Sequence, residues 1–326
     1  MKLLERDQIL QKIFSRINAS RPQSISITGD LKIGKTVLLE QILDSEVQKK
    51  HIEPTKNYCF FYKNLKKHQT GHLELITEII SSFTKGEGRE LVLADNVYNT
   101  LTEIISEKQY NQTFIIVLDN FNVLTSDIAV PLEFFSFLRS LANSYHVAYI
   151  ISSVCALQEM CASKEVTESP FFNIFTNIEL KTFSEEEGIK LLALYEANEL
   201  YSVTKQLTGF HPYLLQQAIQ ILQNESRQES IETILKQLVE SNKQFVMELL
   251  NNFPDQYPQF LMNLALGIKP SEKESYILTK LVQKGYISPD SEFNSEIIRS
   301  ILIALNQKNK KSGIINRVIK LLFTRN

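Results

Sequence analysis

Four residues early in the chain have the types and the spacing needed to hold a phosphate. Gly29 and Gly34 bracket four residues, and Lys35 and Thr36 follow directly, in the pattern G-x-x-x-x-G-K-[ST]. The glycines let backbone N–H groups close around a β-phosphate, the lysine reaches the β- and γ-phosphates, and the threonine hydroxyl can ligate Mg²⁺. An apolar alternation over residues 24–28 precedes the pattern, and an apolar helical period follows it. This strand–loop–helix context predicts a nucleotide phosphate loop rather than a chance match.

A carboxylate follows an apolar strand farther along the chain. Phe114–Asp119 (FIIVLD) is rich in β-formers and ends in an aspartate, which is the Walker B pattern when it lies downstream of a phosphate loop. Ligands meet a parallel sheet at the carboxyl ends of its strands. We therefore expect Asp119, together with Thr36, to hold Mg²⁺, and Lys35 and Asp119 to serve any catalysis.

The next residue is an amide where many P-loop ATPases with an extra strand between the two motifs carry an acid. Asn120 can orient a water molecule, but an amide cannot take its proton. This departure predicts slow hydrolysis, or none, with nucleotide binding intact.

A fourth apolar strand is predicted at Val147–Ser153, and it ends in two hydroxyls. Ser152 is assigned to the nucleotide because a polar strand end at this place commonly lies near the γ-phosphate. Two serines ending a strand are also ordinary turn chemistry. Arg139, on the preceding helix, could pair with phosphate, although a surface salt bridge or a subunit edge is the simpler interpretation.

These residues require a particular set of elements to position them. Strands at 24–28, Tyr58–Tyr62, Phe114–Asp119 and Val147–Ser153 alternate with helical segments. Repeated βαβ units predict an α/β fold, a parallel sheet with helices on both faces and right-handed crossovers. The continuous apolar run of Tyr58–Tyr62 (YCFFY) predicts a strand buried on both faces.

Composition restricts the class of protein. The 326 residues leave room for two domains, and the formal net charge of -2 gives no global attraction to nucleic acid or to an anionic membrane. Three cysteines without C-x-x-C spacing predict a reducing compartment, and the charged N-terminal stretch MKLLERDQ is not a signal peptide. No apolar stretch is long enough to span a bilayer. We expect a cytoplasmic protein without a transmembrane segment.

Several motifs, in their order, resemble the STAND class of P-loop ATPases, the AAA+-like signalling group that includes archaeal and cyanobacterial AAA-like ATPases. Glu5-Arg6-Asp7 is similar to their segment ahead of the phosphate loop, and Walker A and Walker B follow as described above. Ser169–Phe175 with Ile178–Glu187 resembles their passage into a lid. Thr208–Gln216 (TGFHPYLLQ) resembles the start of a lid helix. The likeness covers roughly residues 3 to 303.

The resemblance implies a site that holds ATP or ADP with Mg²⁺. It places Arg6 at the nucleotide and His211 and Pro212 against it, with the proline near the adenine ring. The sequence departs from the class at Glu5, where glycine is usual, and at the end of the fourth strand, where arginine is common. The predicted site residues are, for catalysis, Lys35, Asp119 and Asn120; for nucleotide, Arg6, Gly29, Ile33, Gly34, Lys35, Thr36, Val37, Ser152, His211 and Pro212; and for metal, Thr36 and Asp119.

The C-terminal part is predicted to be helical with one short hairpin. Glu272–Lys284 with Gly285-Tyr286-Ile287, the turn Pro289-Asp290-Ser291 and the closing segment Asn294–Leu305 are typical of a winged helix. The expected organisation is a P-loop domain over 1–183, a helical lid over 184–250, a winged helix over 251–306 and a basic amphipathic helix over 307–326. Residues 308–326 contain six basic residues and no acid, so they could contact an acidic membrane, a nucleic acid or a partner, or pack on their own domain.

The sequence therefore predicts an ATP-binding STAND/AAA+-like switch with slow hydrolysis, which signals by conformation or by self-assembly to a separate effector protein. Two alternatives stay open. One is a DNA-associated AAA+ regulator that uses the winged helix and the basic tail, although the mixed charge of the candidate recognition helix disfavours nucleic acid. The other is a scaffold that binds nucleotide without catalysis.

Overall fold

The structure is a computed structural model that describes residues 6–66, 71–85, 96–224 and 230–312, with side chains up to 306. Glu5 and the greater part of the predicted basic C-terminal helix lie outside the described residues. The strands are β1 Ser24–Gly29, β2 Tyr58–Asn64, β3 Thr113–Asp119, β4 Val147–Ser153 and β5 Phe175–Leu180. The longer helices of the first half are α1 Asp7–Ile17, α2 Lys35–Leu43, α3 Ser45–His51, α4 His72–Phe83, α5 Val97–Lys108 and α7 Leu132–Ser144, with single turns α6 Asn122–Thr125 and α8 Lys164–Thr167. The second half contains α9 Glu185–Leu194, α10 Tyr201–Thr208, α11 Pro212–Asn224, α12 Ile231–Asn251, α13 Gln256–Ala265, α14 Ser275–Lys284 and α15 Glu296–Ser312.

Two compact units divide the chain. Of the described residues, those in 6–29 and 35–179 form the sheet unit, and those in 30–34 and 180–312 form the helical unit. The tip of the phosphate loop thus belongs to the helical unit, whereas its two ends belong to the sheet unit.

The sheet has five strands in the order β2-β3-β4-β1-β5. β2 with β3, β3 with β4 and β1 with β4 are parallel pairs, which confirms the predicted α/β architecture. Phe114, Ile116 and Leu118 join a core cluster with the helices of one face. Ile115 and Val117, which point the other way because side chains alternate along a strand, are also fully buried. Helices therefore cover both faces of the sheet.

The strand β2 lies at an edge of the sheet, so the prediction that it is buried on both faces is wrong. Of its seven residues only Phe61 is buried, and the others, Cys59 included, are half-exposed. A run of large aromatic residues can occur in a central strand or in an edge strand, so the run alone does not distinguish the two positions. At the other edge, β5 was not predicted as a strand, because its only buried residues are Ile178 and Leu180 among polar neighbours.

In the helical unit, a large apolar cluster extends from α10 to α15, and a smaller one lies between α9 and α11. The first helix of this unit, α9, begins with a capping box. The Ser184 hydroxyl accepts from the Glu187 N–H at 3.2 Å, and the Glu187 carboxylate accepts from the Ser184 N–H at 2.8 Å. After α14, a single antiparallel bridge joins Ile287 and Phe293 ahead of α15.

Candidate functional site

The base of the phosphate loop is set by β1 and α2. Gly29 ends β1, and Lys35 is the first residue of α2, so the loop delivers the lysine to a helix N-terminus. Lys35 is 8% exposed, and its Nζ donates to the Gly29 carbonyl at 2.6 Å. Gly34, just before it, has φ of +101°, a conformation that favours glycine. The cation and the helix N-terminus both favour an anion at this place.

Asp119 forms the centre of a buried corner beside that loop. The carboxylate is fully buried at the end of β3, and its Oδ2 accepts from the Thr36 hydroxyl at 2.7 Å. Its Oδ1 accepts from the hydroxyl of Ser152, which lies on the neighbouring strand β4. The structure thus brings together three residues that the sequence analysis assigned to one site. Ser152 contacts the carboxylate directly.

Asn64 is a member of this corner that the sequence analysis missed. It is the last residue of β2 and pairs in register with Asp119, and its Nδ2 donates to Asp119 Oδ2 at 2.8 Å. Its Oδ1 accepts from Asn120 Nδ2 at 3.2 Å. The available signal was its position: a polar residue ends the apolar run at 58–62, as Asp119 ends β3.

Asn120 leaves the strand in the left-handed region, with φ of +60°. Asparagine adopts this conformation more readily than most residues. Its backbone N–H donates to the Ser152 hydroxyl at 2.9 Å, so the turn is fixed at both the backbone and the side chain. Asn64, the last residue of β2, and Asn120, the first residue after β3, thus present amides, neither of which can accept a proton.

The donor set of the corner fits Mg²⁺. A carboxylate and a hydroxyl, from Asp119 and Thr36, lie within hydrogen-bond distance of each other, and magnesium prefers hard oxygen ligands of this kind. Tyr62, on β2, lies near the same charge. Burial first, and then the charge of Asp119, raise the pKa of the Tyr62 hydroxyl, so that it keeps its proton at neutral pH.

The tip of the loop, residues 30–33, is held inside the helical unit. Asp30 Oδ1 accepts from Lys284 Nζ at 2.6 Å, and the two side chains are 10% and 21% exposed. Lys284 is the last residue of α14, and Gly285 after it has φ of +86°. A Cβ at Gly285 would lie 1.9 Å from Thr182 Oγ1, so this turn requires glycine. Lys284 therefore has a closely fixed backbone from which to reach Asp30.

Aromatic rings hold the second charged residue of the loop tip. Lys32 Nζ lies 3.7 Å from the centroid of the Tyr213 ring and 5.1 Å from that of Phe245. Lys32 itself has φ of +55°. A cation this close to an aromatic face is attracted by the ring quadrupole. Leu31 packs on the same apolar cluster, so charged and apolar groups of the loop tip both contact the helices.

The predicted lid residues start α11 in this unit. Pro212 is its first residue, and His211, which is 1% exposed, packs its ring 5.2 Å from Phe245. Gly209 has φ of +56°, and a Cβ there would lie 2.8 Å from the Asn294 backbone, so the prediction of an unusual backbone angle is confirmed. The ring contacts of His211 with Phe245 and Tyr286 are enough to explain its burial, and no nucleotide is needed for that. Its role as a nucleotide contact stays a prediction.

The remaining predicted residues lie on the same elements. Arg6, 7% exposed, is the N-cap residue of α1 in the sheet unit, and Val37 is half-buried in the first turn of α2. Ile33, 1% exposed, belongs to the loop segment of the helical unit. Among the described helices, none combines the length and the apolar character needed to cross a membrane.

Comparison with known proteins gives one family. A sequence model of the family described as Novel STAND NTPase 2 matches residues 19–250, more than two thirds of the chain. No curated protein matches.

Solved structures share the fold. The Walker-type ATPase PABY2304 of Pyrococcus abyssi superimposes with a TM-score of 0.59 at 15% identity, over 92% of this chain and 96% of that one. The ORC2 protein of Aeropyrum pernix, in its ADPNP-ADP complexes, gives 0.56 at 12% identity, over 94% of each chain. At these identities the likeness establishes the P-loop ATPase fold.

Proposed function

The chain is a member of the Novel STAND NTPase 2 family, and from that premise we propose that it is an ATP-binding molecular switch with slow hydrolysis. ATP or ADP would bind at the phosphate loop with Mg²⁺. The observation that carries the proposal is the ion pair between Asp30 of the loop tip and Lys284 of α14. It ties the segment that encloses a phosphate to a helix far away in the sequence.

The residues of the sheet unit have distinct roles in this proposal. Lys35 would bind the β- and γ-phosphates, and Thr36 and Asp119 would hold Mg²⁺, which would neutralise phosphate charge when bound. Ser152 holds the Asp119 carboxylate in position. Asn64 and Asn120 would orient an attacking water. Because neither amide can remove a proton, turnover would be slow.

The loop tip supplies the reason to prefer a switch to a scaffold. Asp30 lies in the loop that is to receive a polyanion, where its charge would repel phosphate unless Lys284 neutralises it. Burial first, and then the charge of Asp30, raise the pKa of Tyr286, which keeps that neighbouring hydroxyl uncharged. A change in the loop on exchange of ADP for ATP would therefore act directly on α14.

The predicted lid and winged helix take their place in the same proposal. α9 to α12 would form the lid, with His211 and Pro212 toward the nucleotide, and α13 to α15 with the Ile287–Phe293 bridge would form the winged helix. Lys284 was one of the basic residues that could have contacted DNA. Its pairing with Asp30 and the acids Glu272 and Glu274 on the same segment favour an internal role. If the protein slowed the migration of DNA in a gel at low salt, that result would contradict an internal role and favour DNA binding.

The test uses Lys284→Met, with Lys280→Met on the same helix as the matched control, because Lys280 lies over the exposed Tyr276 ring instead. Binding of ATP and ADP is measured by calorimetry, and the nucleotide-dependent change by limited proteolysis and size exclusion. We expect Lys284→Met to weaken ATP binding about tenfold, since it removes the cation that neutralises the mostly buried Asp30 carboxylate, and Lys280→Met to change little.

Adding Asp30→Asn to Lys284→Met separates the effect of the Asp30 charge on ATP affinity from the link between the phosphate loop and α14. The double variant also removes the negative charge of Asp30, so ATP affinity should return toward that of the unmodified protein. The difference between the ADP and ATP digestion patterns should stay lost, because the link to α14 is gone. If ADP and ATP give identical patterns in the unmodified protein and turnover is undetectable, the scaffold is the correct function.

A further inference from the structure

A cavity of about 370 Å³ opens in the sheet unit, away from the phosphate loop. Ser24, the first residue of β1, lines it, as do Arg139 and Asn143 of α7, the helix that leads into β4. Parallel strands start at one edge of a sheet and end at the other, and the phosphate loop follows the end of β1. The cavity therefore lies at the amino-terminal edge of the strands, opposite the Walker motifs.

The charge of this cavity is entirely positive. Arg21 and Arg139 line it, and none of the described residues that line it is acidic. Arg21 donates only to the Ala142 carbonyl, at 3.3 Å, and Arg139 makes no hydrogen bond or ion pair with any residue in the described part of the chain. Each planar guanidinium therefore keeps donors that face no carboxylate. The chain as a whole has a net charge of -2, so this concentration of positive charge is local.

Neutral polar groups complete the lining. Gln23, Asn143 and Asn173 bring side-chain amides, and Ser24, which is 4% exposed, brings a hydroxyl. The Ser24 Oγ accepts from the Tyr149 N–H at 3.1 Å, and accepting that bond leaves its own proton available to donate. Gln23 Oε1 accepts from Arg16 at 2.6 Å, which leaves its NH₂ group as a donor. The lining thus offers many donors for an acceptor-rich ligand.

The walls of the cavity are anchored in the core. Leu138 and Leu141 of α7 are buried on either side of Arg139 in sequence, and the 3-10 turn Pro170–Ile174 is fixed by Phe171, which is fully buried. The ring centroids of Phe171 and Phe135 of α7 are 5.8 Å apart. Arg139, Asn143 and Asn173 therefore lie on backbone that is already in place before any ligand binds, which lowers the entropy cost of binding.

We propose that this arginine cavity, lined by Arg21, Gln23, Ser24, Arg139, Asn143 and Asn173, is a second anion site that binds a small phosphorylated molecule independently of the phosphate loop. Guanidinium forks match the paired oxygens of a phosphate, and the amides provide donors for its remaining acceptors. The volume lies in the range of small-molecule pockets. The site has no carboxylate to hold a metal, so binding needs no Mg²⁺.

The probe is inorganic pyrophosphate in the presence of EDTA, titrated by calorimetry into the full chain carrying Lys35→Ala. That substitution removes the lysine of the phosphate loop, so failure at one site is distinguishable from failure at the other. We expect pyrophosphate binding to persist in Lys35→Ala and to weaken about tenfold when Arg139→Gln is added. Arg299→Gln, which removes an exposed arginine paired with Glu296, is the matched control and should leave the affinity unchanged.

A labelling experiment on the unmutated protein keeps the test independent of any folding defect. Phenylglyoxal modifies accessible arginines, and peptide mass spectrometry reads each one separately. Pyrophosphate should slow modification of Arg21 and Arg139 about tenfold while Arg299 reacts at its usual rate. Equal rates with and without pyrophosphate would overturn the proposal. Protection by a polyglutamate peptide but not by pyrophosphate would also overturn it, and would assign the cavity to an acidic protein segment.

Discussion

The two edges of the central sheet carry opposite charges. At the carboxyl ends of the strands, the fully buried carboxylate of Asp119 accepts hydrogen bonds from Thr36, Asn64 and Ser152. At the amino ends, Arg21 and Arg139 line an open cavity without an acid. A carboxylate beside a phosphate site calls for a metal to neutralise it, whereas guanidinium groups can meet an anion directly. The two proposals therefore give one sheet two anion sites with different chemistry, one that uses magnesium and one that does not.

The largest expected effect separates the two edges by removing the cation of the phosphate loop. Lys35→Ala should weaken ATP binding about 100-fold, since a charge-assisted hydrogen bond contributes about 3 kcal/mol. Fluorescent nucleotide titration measures this change. Lys49→Ala, which removes an exposed lysine paired with Glu46 on α3, is the control. Unchanged ATP affinity in Lys35→Ala would contradict the assignment of the phosphate loop.

A smaller effect tests whether the metal distinguishes the edges. Asp119→Asn should reduce the gain in nucleotide affinity that Mg²⁺ provides by about tenfold or more, because a ligating carboxylate becomes an amide. Titrations with Mg²⁺ and with EDTA give that gain for each protein. Pyrophosphate binding at the arginine cavity should be the same under both conditions. An Mg²⁺ requirement at the cavity would remove the contrast between the two edges.

The smallest effect concerns turnover at the carboxyl edge. Asn120→Asp places a carboxylate where water is to be activated, and aspartate tolerates the left-handed backbone at φ of +60°. Phosphate release should rise about tenfold, below the usual contribution of a general base, because the new carboxylate cannot donate to Asn64 Oδ1 as the Asn120 amide does and is therefore held less well in position. Asn120→Glu should also raise turnover, but with lower thermal stability, because glutamate is strained in this conformation. No increase in either variant would show that the missing carboxylate is not what limits hydrolysis.

Much of the sheet unit could be predicted from the sequence, because short-range patterns determine it. The strand Val147–Ser153 has the predicted bounds, and Asp119 ends β3 as expected. The edge position of β2 could not be predicted, since it depends on which strands pair and not on the apolar run itself. β5 was missed for a similar reason, because pairing with β1 outweighs a weak local pattern.

The contacts of the loop tip left no signal in the sequence. Asp30 and Lys32 occupy positions of the motif at which any residue is allowed, and their partners Lys284 and Tyr213 are distant along the chain. Asn64 and the arginine cavity were missed in the same way. A pattern reports the period and the spacing of one segment, whereas these features arise where separate segments meet.

The distance in sequence between Asp30 and Lys284 has a consequence for synthesis. The two residues are 254 positions apart. At a translation rate of about 5 to 20 residues per second, the loop would leave the ribosome on the order of 10 to 50 s before its lysine partner is made. The sheet can begin to form in that interval, but the final charge environment of Asp30 cannot. The nascent chain therefore acquires its complete phosphate loop only after all five strands of the sheet have been synthesised.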